Sequence, residues 1–318
     1  MNTELPNSIR AYRNLSFEEF DSTLVGTVGR TILTGKAMAP WQQDVIRIDR
    51  ATLQIVQEGA ANAYVGEAPD GYISIVMGLP ASSRMSCGGS KLDDGVMLIV
   101  RPGDPIISQS NDINRWCALT LLTEDFTRAV HQYDPGKAER LLNGPAILQI
   151  SPKAWNKAVC LVNRVAAAVI TGNFTSPQQM RVAKEELIDT FVSSVSRAFE
   201  DTNLKGRPKA SRSHTIKHFR SLILDGPTVL TVTEMAKLMD QSERTLHTTV
   251  HKYFGMGPKT LLLRSQMHRV RIDLMHALPG TTVTRLLASH GIWEIGRFAQ
   301  RYKRVYGEYP SKTLGMLA

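Results

Sequence analysis

Cysteine is scarce in this chain of 318 residues, which contains only Cys87, Cys117 and Cys160. An odd number of widely spaced cysteines fits buried, reduced thiols in the cytoplasm better than a disulfide framework. The sequence also lacks an apolar run long enough to cross a bilayer, and its first residues lack the basic start and apolar core of a secretory signal. We therefore expect a cytoplasmic protein without a membrane partner.

Histidine is missing from the first 130 residues, although the whole chain has eight. A metal-dependent oxygenase or isomerase built on β-strands needs a cluster of histidine and carboxylate ligands on those strands. Motifs for nucleophilic, phosphate-binding or dinucleotide chemistry are also missing. We therefore expect no enzyme activity, no catalytic residue, no metal and no cofactor.

Positive charge is concentrated at one end of the sequence. The chain has 38 basic and 29 acidic residues, of which 19 and 7 lie within residues 205–318. That segment has a net charge of +12 and the rest of the chain −3. Such a basic module favours a polyanionic partner, because each neutralised phosphate releases counterions. On charge alone, a solvated surface or an anionic membrane stays open as an alternative.

Turn-forming glycine, proline and aspartate residues divide the rest of the chain into segments of different predicted structure. Residues of about 24–123 alternate short aliphatic runs with turn signals, which predicts the strands of a β-sandwich or small barrel. Residues of about 124–200 have helical spacing and two Ser-Pro helix starts. Residues 201–213 are polar and basic, which predicts a linker between residues 1–200 and a helical domain at 214–318.

The C-terminal domain contains an internal repeat with a displacement of 52 residues. The displacement superposes Leu246 on Phe298, Val250 on Tyr302, Phe254 on Tyr306, Gly255 on Gly307 and Pro258 on Pro310. Glycine after one helix and proline at the start of the next predict a helix, a tight turn and a new helix in each copy. A short helix and a turn precede each copy. Each unit is therefore a predicted helix-turn-helix, the arrangement that places a second helix in a DNA groove.

Residues of about 217–314 resemble the C-terminal domain of AraC/XylS-type transcription regulators. The sequence "GIWEIGRFAQRYKRVYGEYPSKTL" from Gly291 is similar to the family's signature of a glycine and an aromatic residue, a recognition helix with paired aromatics, then glycine and proline. Leu287 replaces the small residue usual in the family and Ile292 replaces phenylalanine, so these two departures affect packing.

The resemblance implies an α+β multidomain protein. Its C-terminal all-α domain would have two helix-turn-helix units joined by a long helix, and residues 1–200 would be a sensor and dimerisation domain with a cupin-like small β-barrel and packed helices. The joining helix, predicted over 258–277, is roughly 30 Å long at about 1.5 Å per residue. This length is close to one turn of B-DNA, about 34 Å, so two recognition helices could enter successive major grooves.

The first recognition helix follows Ser242 and turns its polar residues to one face. Arginine can bind guanine through two hydrogen bonds, histidine and threonine can contact base edges, and lysine suits phosphate. We expect Arg244, His247 and Thr248 to contact bases and Lys252 to contact phosphate. The full set of predicted DNA-binding residues in this helix is Ser242, Glu243, Arg244, His247, Thr248, His251 and Lys252.

The second recognition helix has smaller residues at the corresponding positions. Glutamine can read adenine, but glycine offers the DNA only close approach. We therefore expect the second helix to rely more on backbone contacts than the first. Its predicted DNA-binding residues are Gly296, Arg297, Gln300, Lys303 and Arg304.

These features predict a sequence-specific transcription regulator that binds double-stranded promoter DNA. The resemblance implies control by a small-molecule effector inside the N-terminal domain, a homodimer formed through helices near 152–199, and contact with RNA polymerase if the protein is an activator. An apolar stripe at Val182, Leu187, Val192 and Val195 could serve that dimer or pack on the chain's own sheet. Two alternatives stay open: a ligand-independent regulator whose N-terminal domain only dimerises or binds a protein, and a metal-free cupin-type enzyme fused to a DNA-binding domain.

Overall fold

The computed structural model describes residues 8–80, 85–143, 147–173, 176–201, 218–223 and 230–316. Its strands are β1 (Ser8–Leu15), β2 (Val28–Leu33), β3 (Trp41–Ile48), β4 (Ala51–Glu58), β5 (Asn62–Glu67), β6 (Tyr72–Gly78), β7 (Met85–Cys87), β8 (Ser90–Lys91), β9 (Val96–Val100), β10 (Pro105–Ser110), β11 (Asn114–Leu122) and β12 (Ile147–Gln149). Its helices are α1 (Phe17–Thr23), α2 (Thr123–His131), α3 (Lys137–Asn143), α4 (Pro152–Ile170), α5 (Pro177–Asp201), α6 (Val232–Leu238), α7 (Glu243–Phe254), α8 (Pro258–Met275), α9 (Val283–Ser289), α10 (Ile295–Tyr306) and α11 (Pro310–Thr313). Residues 218–223 are also helical. Among all the described residues, no helix is both long and apolar enough to span a membrane.

The strands form two antiparallel sheets. The larger has the order β1-β3-β4-β11-β6-β9-β12, and the smaller has the order β2-β5-β10-β7-β8. One face of the larger sheet packs against helices α2 to α5 and forms the largest apolar core of the described chain, with Ile55, Ile75 and Leu119 on the sheet and Phe191 and Val195 on α5. The other face is turned towards the smaller sheet.

The predicted cupin-like barrel is not confirmed, because the described strands form two separate sheets and no closed barrel. The strands also exceed the predicted range of 24–123, since β1 lies before it and β12 after it. β1 was missed because its sequence, SIRAYRNL, lacks an aliphatic run and no residue in it is fully buried. The predicted linker lies outside the described residues, apart from Asp201, which ends α5.

The two Ser-Pro helix starts are confirmed. The hydroxyl of Ser151 accepts a hydrogen bond from the Ala154 backbone N–H, and the hydroxyl of Ser176 accepts one from that of Gln179. The apolar stripe of α5 packs on the chain's own larger sheet, and Val182 stands apart from it because 55% of its surface is exposed. The stripe is therefore used within the chain, and it gives no support to a dimer through α5.

The C-terminal part consists of two units joined by α8. Helices α6 and α7 form the first unit and α9 and α10 the second, and each recognition helix ends at a glycine with positive φ, 65° at Gly255 and 78° at Gly307. A left-handed residue at a helix end favours glycine, as the repeated Gly-x-x-Pro predicted. Helix α8 has 18 residues instead of the predicted 20 and is about 27 Å long at about 1.5 Å per residue.

The C-terminal helices pack directly on the N-terminal part. Ile32 and Ile107, on the outer face of the smaller sheet, share an apolar cluster with Leu246 and Phe254 of α7. At the other end of the contact, the ring of Phe17 in α1 packs edge-on against His268 of α8, with centroids 5.6 Å apart. The described chain therefore has four layers: helices, the larger sheet, the smaller sheet and the C-terminal helices.

Candidate nucleic-acid interface and interior cavity

Helix α7 turns the predicted reading residues outward. The hydroxyl of Ser242 caps the helix by accepting a hydrogen bond from the Thr245 backbone N–H at 3.1 Å. Leu246 and Val250 are fully buried on the opposite side. The exposed residues of this helix include Glu243, Arg244, His247, Thr248, His251 and Lys252.

The exposed side chains of α7 differ in how they are engaged. Glu243 accepts a hydrogen bond from the hydroxyl of Thr233 at 2.6 Å, so it ties α7 to α6. Thr248 donates its hydroxyl proton to the backbone carbonyl of Arg244 at 3.1 Å. The guanidinium of Arg244 itself has no partner within the described residues. It is therefore available to a ligand outside the chain.

Two residues of α7 lie close to other parts of the fold. A Cβ atom on Gly257 would lie 3.1 Å from Nε2 of His247, so this imidazole lies over the turn between α7 and α8. A Cβ on Gly89 would lie 3.0 Å from Cε of Lys252, which places this lysine against the turn between β7 and β8. In this arrangement Lys252 contacts the N-terminal part.

Helix α10 turns a basic face outward, and most of the polar side chains predicted to bind DNA on this face contact other residues of the chain. Arg297 forms an ion pair with Glu294 at 3.1 Å, and Gln300 donates a hydrogen bond to the hydroxyl of Tyr309 at 3.3 Å. The ammonium of Lys303 lies 4.4 Å from the centroid of the Tyr309 ring, within the range of a cation–π contact. Gly296 is exposed and a Cβ added there would meet nothing within 4 Å. Among the predicted residues of this helix, Arg304 alone has a side chain without a partner in the described structure.

A buried arginine fixes the second unit to α8. Nη1 of Arg271 donates to the Tyr302 hydroxyl at 3.1 Å and to Glu308 at 3.0 Å, and its Nε donates to Glu18 of α1. Burial by itself would lower the pKa of this guanidinium, but the hydrogen bonds and charge of Glu18 and the contacts with Tyr302 raise it. The same side chain therefore links α1, α8 and α10.

A cavity lies between the two sheets, with a volume of about 80 Å³. One water needs about 10–15 Å³ of such space, so the cavity has room for a small organic molecule. One part of its wall is apolar and includes Val76, Met85, Leu98 and Ile106, and the polar part includes Gln54, Glu58, Tyr64, Ser74, Ser108 and Thr120. Met85 lines this cavity, whereas Met77 and Met97 are fully buried in the core formed with the helices.

Most polar groups of the cavity are hydrogen-bonded to one another. Thr27 and Tyr64 share a hydrogen bond of 2.6 Å, and Ser74 and Thr120 share one of 2.8 Å. Glu58 is the charged residue of the wall, and its Oε1 accepts a hydrogen bond from Nε1 of Trp116 at 2.9 Å. Burial raises the pKa of Glu58, while the hydrogen bonds that it accepts act in the opposite direction.

Two strands of the smaller sheet are walls shared by the cavity and the C-terminal helices. Thr31 of β2 and Ser108 of β10 line the cavity. The next residues along these strands point the other way, because side chains alternate across a sheet. Accordingly Ile32 packs in the cluster with α7, and Gln109 lies beside Gly255 at the end of that helix.

Metal binding and cysteine chemistry find no support in the described residues. No group of three or more histidine, cysteine, aspartate or glutamate side chains is placed there to hold a metal ion. Cys87 and Cys117 are buried, and burial raises the pKa of Cys87 to about 12. Cys160, by contrast, is exposed on α4, although the sequence suggested a buried thiol.

Sequence comparison places the recognizable part of the chain at its C-terminal end. A family model described as a helix-turn-helix domain matches residues 235–316. XylDLEGF operon transcriptional activator 2 of Pseudomonas putida is 28% identical over 88 residues, which cover 27% of this chain and 56% of that protein. The probable thc operon regulatory protein of Rhodococcus erythropolis is 34% identical over 86 residues, which cover 27% of this chain and 26% of that protein. The match therefore spans about half of the first relative and about a quarter of the other.

Structural comparison gives a longer but weaker similarity. The crystal structure of the AraC-like transcriptional activator CuxR aligns with 89% of this chain and 100% of its own, at 15% sequence identity and a TM-score of 0.47.

Proposed function

Because residues 235–316 are an AraC-type helix-turn-helix domain, we propose that this chain is a sequence-specific transcription regulator that binds double-stranded promoter DNA. The observation that carries the proposal is the pair of helices, α7 and α10, that each turn a polar or basic face to solvent. Helix α8 separates them along about 27 Å, which is comparable with one turn of B-DNA at about 34 Å. Both helices can therefore contact one face of a duplex.

The two recognition helices have different tasks in this proposal. Arg244 has an unengaged guanidinium, which suits bidentate contact with guanine. On α10, Arg297, Gln300 and Lys303 already have neighbours, and Gly296 brings the helix backbone close to the duplex. Helix α7 therefore selects the sequence, and α10 contributes affinity through phosphate contacts.

The cavity supports control by a small effector. Polar groups converge in a space with apolar walls, as in sites for small molecules. An occupant that moves β2 or β10 would also move Ile32 or Gln109, which lie against the C-terminal helices. Effector binding thereby alters how α7 is held. A ligand-independent regulator would need no such space, and a metal-free cupin-type enzyme would have to use the same wall for chemistry.

The remaining partners follow from the relatives. XylDLEGF operon transcriptional activator 2 is an activator by name, which supports activation and contact with RNA polymerase. A cytoplasmic location fits DNA binding. Homodimerisation through the helices at 152–199 is retained as part of the proposal, but the interface moves from the apolar stripe of α5, which is covered by the sheet, to α4, which exposes Cys160 and Ile170.

The test is selection of bound fragments from a random DNA pool by the purified full chain. We expect a defined sequence to be enriched and its affinity to fall with increasing salt. Arg128→Ala is the charge-matched control for Arg244→Ala. It removes an exposed arginine of α2 that is far along the chain from both recognition helices. Failure of the wild-type chain to enrich any sequence over random DNA contradicts the proposed function.

A further inference from the structure

The polar wall of the cavity contains a buried carboxylate without a cation. Only four aspartate, glutamate, lysine or arginine side chains are buried in the described residues: Asp44, Glu58, Lys137 and Arg271. Burying a charge costs much free energy unless an opposite charge or a full set of hydrogen bonds compensates it. The four residues can therefore be compared by their partners.

Three of the four have an ion-pair partner. Asp44 pairs with Arg13 at 2.6 Å, Lys137 with Asp134 at 3.7 Å, and Arg271 with Glu308 at 3.0 Å. Glu58 has no ion pair in the described structure, and lysine, arginine and histidine are missing from the wall of the cavity that it lines. The sandwich therefore holds one acidic group in an interior without positive charge.

The surroundings of Glu58 keep it in place as an acceptor. Its Oε2 accepts hydrogen bonds from the side-chain amide of Asn62 at 2.8 Å and from that of Asn114 at 3.5 Å, and its Oε1 accepts from Trp116. The side chain of Ser110 is a fourth hydrogen-bond partner, and all four partners favour the ionised carboxylate, but burial has the larger effect and raises the pKa of Glu58. The four partners match the number of hydrogen bonds that a carboxylate accepts, about four, yet they supply no positive charge and do not offset burial.

We propose that the effector is a small organic cation, an amine with a compact apolar body, whose ammonium group binds Glu58. The ammonium pairs with the carboxylate and supplies the missing charge, while the body packs on Val76, Leu98 and Ile106. A carboxylate effector is disfavoured, because it would bring a second acidic group to a buried site whose wall has no cation. This inference rests on the proposal that the cavity holds the effector.

The test compares ligands of one shape with three head groups. Benzylamine, benzyl alcohol and benzoate, and in parallel butylamine, butanol and butyrate, are titrated calorimetrically into the full chain at neutral pH. We expect the amine of each set to bind most tightly and the carboxylate least. An alcohol or a carboxylate that binds as tightly as its amine, or failure of both amines to bind, overturns the proposal.

Two matched variants connect the result to Glu58. Glu58→Gln keeps the shape and the acceptor oxygen but removes the charge, and it should weaken amine binding by about tenfold or more while leaving the alcohol unchanged. Asp44→Asn removes the charge of the other buried carboxylate of the same sheet, outside the cavity, and should change amine binding less than about twofold. Circular dichroism checks that both variants fold. Equal amine affinity in Glu58→Gln and wild type also overturns the proposal.

The same samples separate this inference from the proposed function. Selection of DNA without any amine present reports on the regulator alone. Selective DNA binding together with no preference for amines contradicts only the effector class. Absence of selective DNA binding both with and without the amines contradicts the regulator, whatever the cavity binds.

Discussion

The two helix-turn-helix units share one architecture and present different surfaces. In each, a short helix, a turn and a recognition helix end at a left-handed glycine followed by a proline. The first exposes Arg244 with an unengaged guanidinium, whereas the corresponding position of the second is Gly296. The two units thus share the residues that build the unit and differ in those that face outward.

The number of basic residues in each helix does not follow the number of basic side chains that are free. Helix α10 carries more arginine and lysine than α7, yet Glu294 and Tyr309 engage its Arg297 and Lys303. A positive charge held by a neighbour can still attract phosphate, because that attraction acts over about 8–10 Å in physiological salt. Reading a base needs a free side chain at hydrogen-bonding distance.

The shared architecture is tested by the largest expected effect. Leu246→Ala in the first unit and Phe298→Ala at the equivalent position of the second each remove a buried apolar side chain, so each should lower the free energy of unfolding by about 2–5 kcal/mol. Urea unfolding followed by circular dichroism measures the loss. If either variant loses less than about 1 kcal/mol, the two units do not share an equivalent core.

The helix common to both units should make the fold sensitive to acid. Burial, followed by the positive charges of Arg30, Arg271 and Arg269, lowers the pKa of His268 from its ordinary value of 6.5 to about 3. In the unfolded chain His268 is protonated below about pH 6.5, whereas in the folded chain it stays neutral down to about pH 3. The free energy of unfolding should therefore fall as pH drops from about 6.5 to about 3.

This acid effect should affect both units together, since His268 lies on α8. Its size is up to a few kcal/mol, because one pKa unit corresponds to about 1.36 kcal/mol. Urea unfolding at several pH values, compared between wild type and His268→Leu, isolates the contribution. A pH dependence that is the same in both proteins contradicts a buried neutral histidine.

Loss of the free guanidinium should affect sequence preference. Arg244→Ala should reduce discrimination between the selected site and random DNA by about 1–3 kcal/mol, the value of one bidentate base contact. Fluorescence anisotropy with both duplexes measures it, and Gln300→Ala on α10 is the comparison. A larger loss of discrimination in Gln300→Ala would reverse the roles assigned to the two helices.

Lys303→Ala should act on all sequences alike. Removing one phosphate contact should weaken binding to the selected site and to random DNA equally and reduce the slope of log affinity against log salt by about one. Titrations at four salt concentrations measure this slope. A change confined to the selected site would show that Lys303 reads a base.

The smallest effect concerns the glycine itself. Gly296 is a helical residue, and an added Cβ meets nothing within 4 Å. Gly296→Ala should therefore raise the free energy of unfolding by about 0.5–1 kcal/mol, because alanine loses less backbone entropy in a helix. Thermal unfolding measures the gain. A loss of stability would mean that this position needs the freedom of glycine.

The recognition helices could be predicted from sequence because their signals are local. Helical spacing placed Leu246, Val250, Phe298 and Tyr302 inside, and all four are buried. The glycine and proline that end and restart each helix act within a few residues. Side-chain partners such as Tyr309 for Lys303 depend on how α11 returns towards α10, which no local pattern indicates.

The cavity could not be predicted for a related reason. In β4, Leu53 and Ile55 alternate with Gln54, and such alternation usually places the polar face in solvent. Here both faces are buried, and the polar one faces the smaller sheet. Alternation identifies two faces of a strand but not which one is covered, so Glu58 was overlooked as a site residue.

The central claim is that α7 reads the DNA and α10 mainly holds it. Its most direct test is position-resolved selection from a random pool, with wild type and Arg244→Ala in parallel. We predict that the wild-type site has one strongly specified half and one weakly specified half about one helical turn apart, and that Arg244→Ala flattens the strong half. A site whose strong half is unchanged in Arg244→Ala would contradict the account.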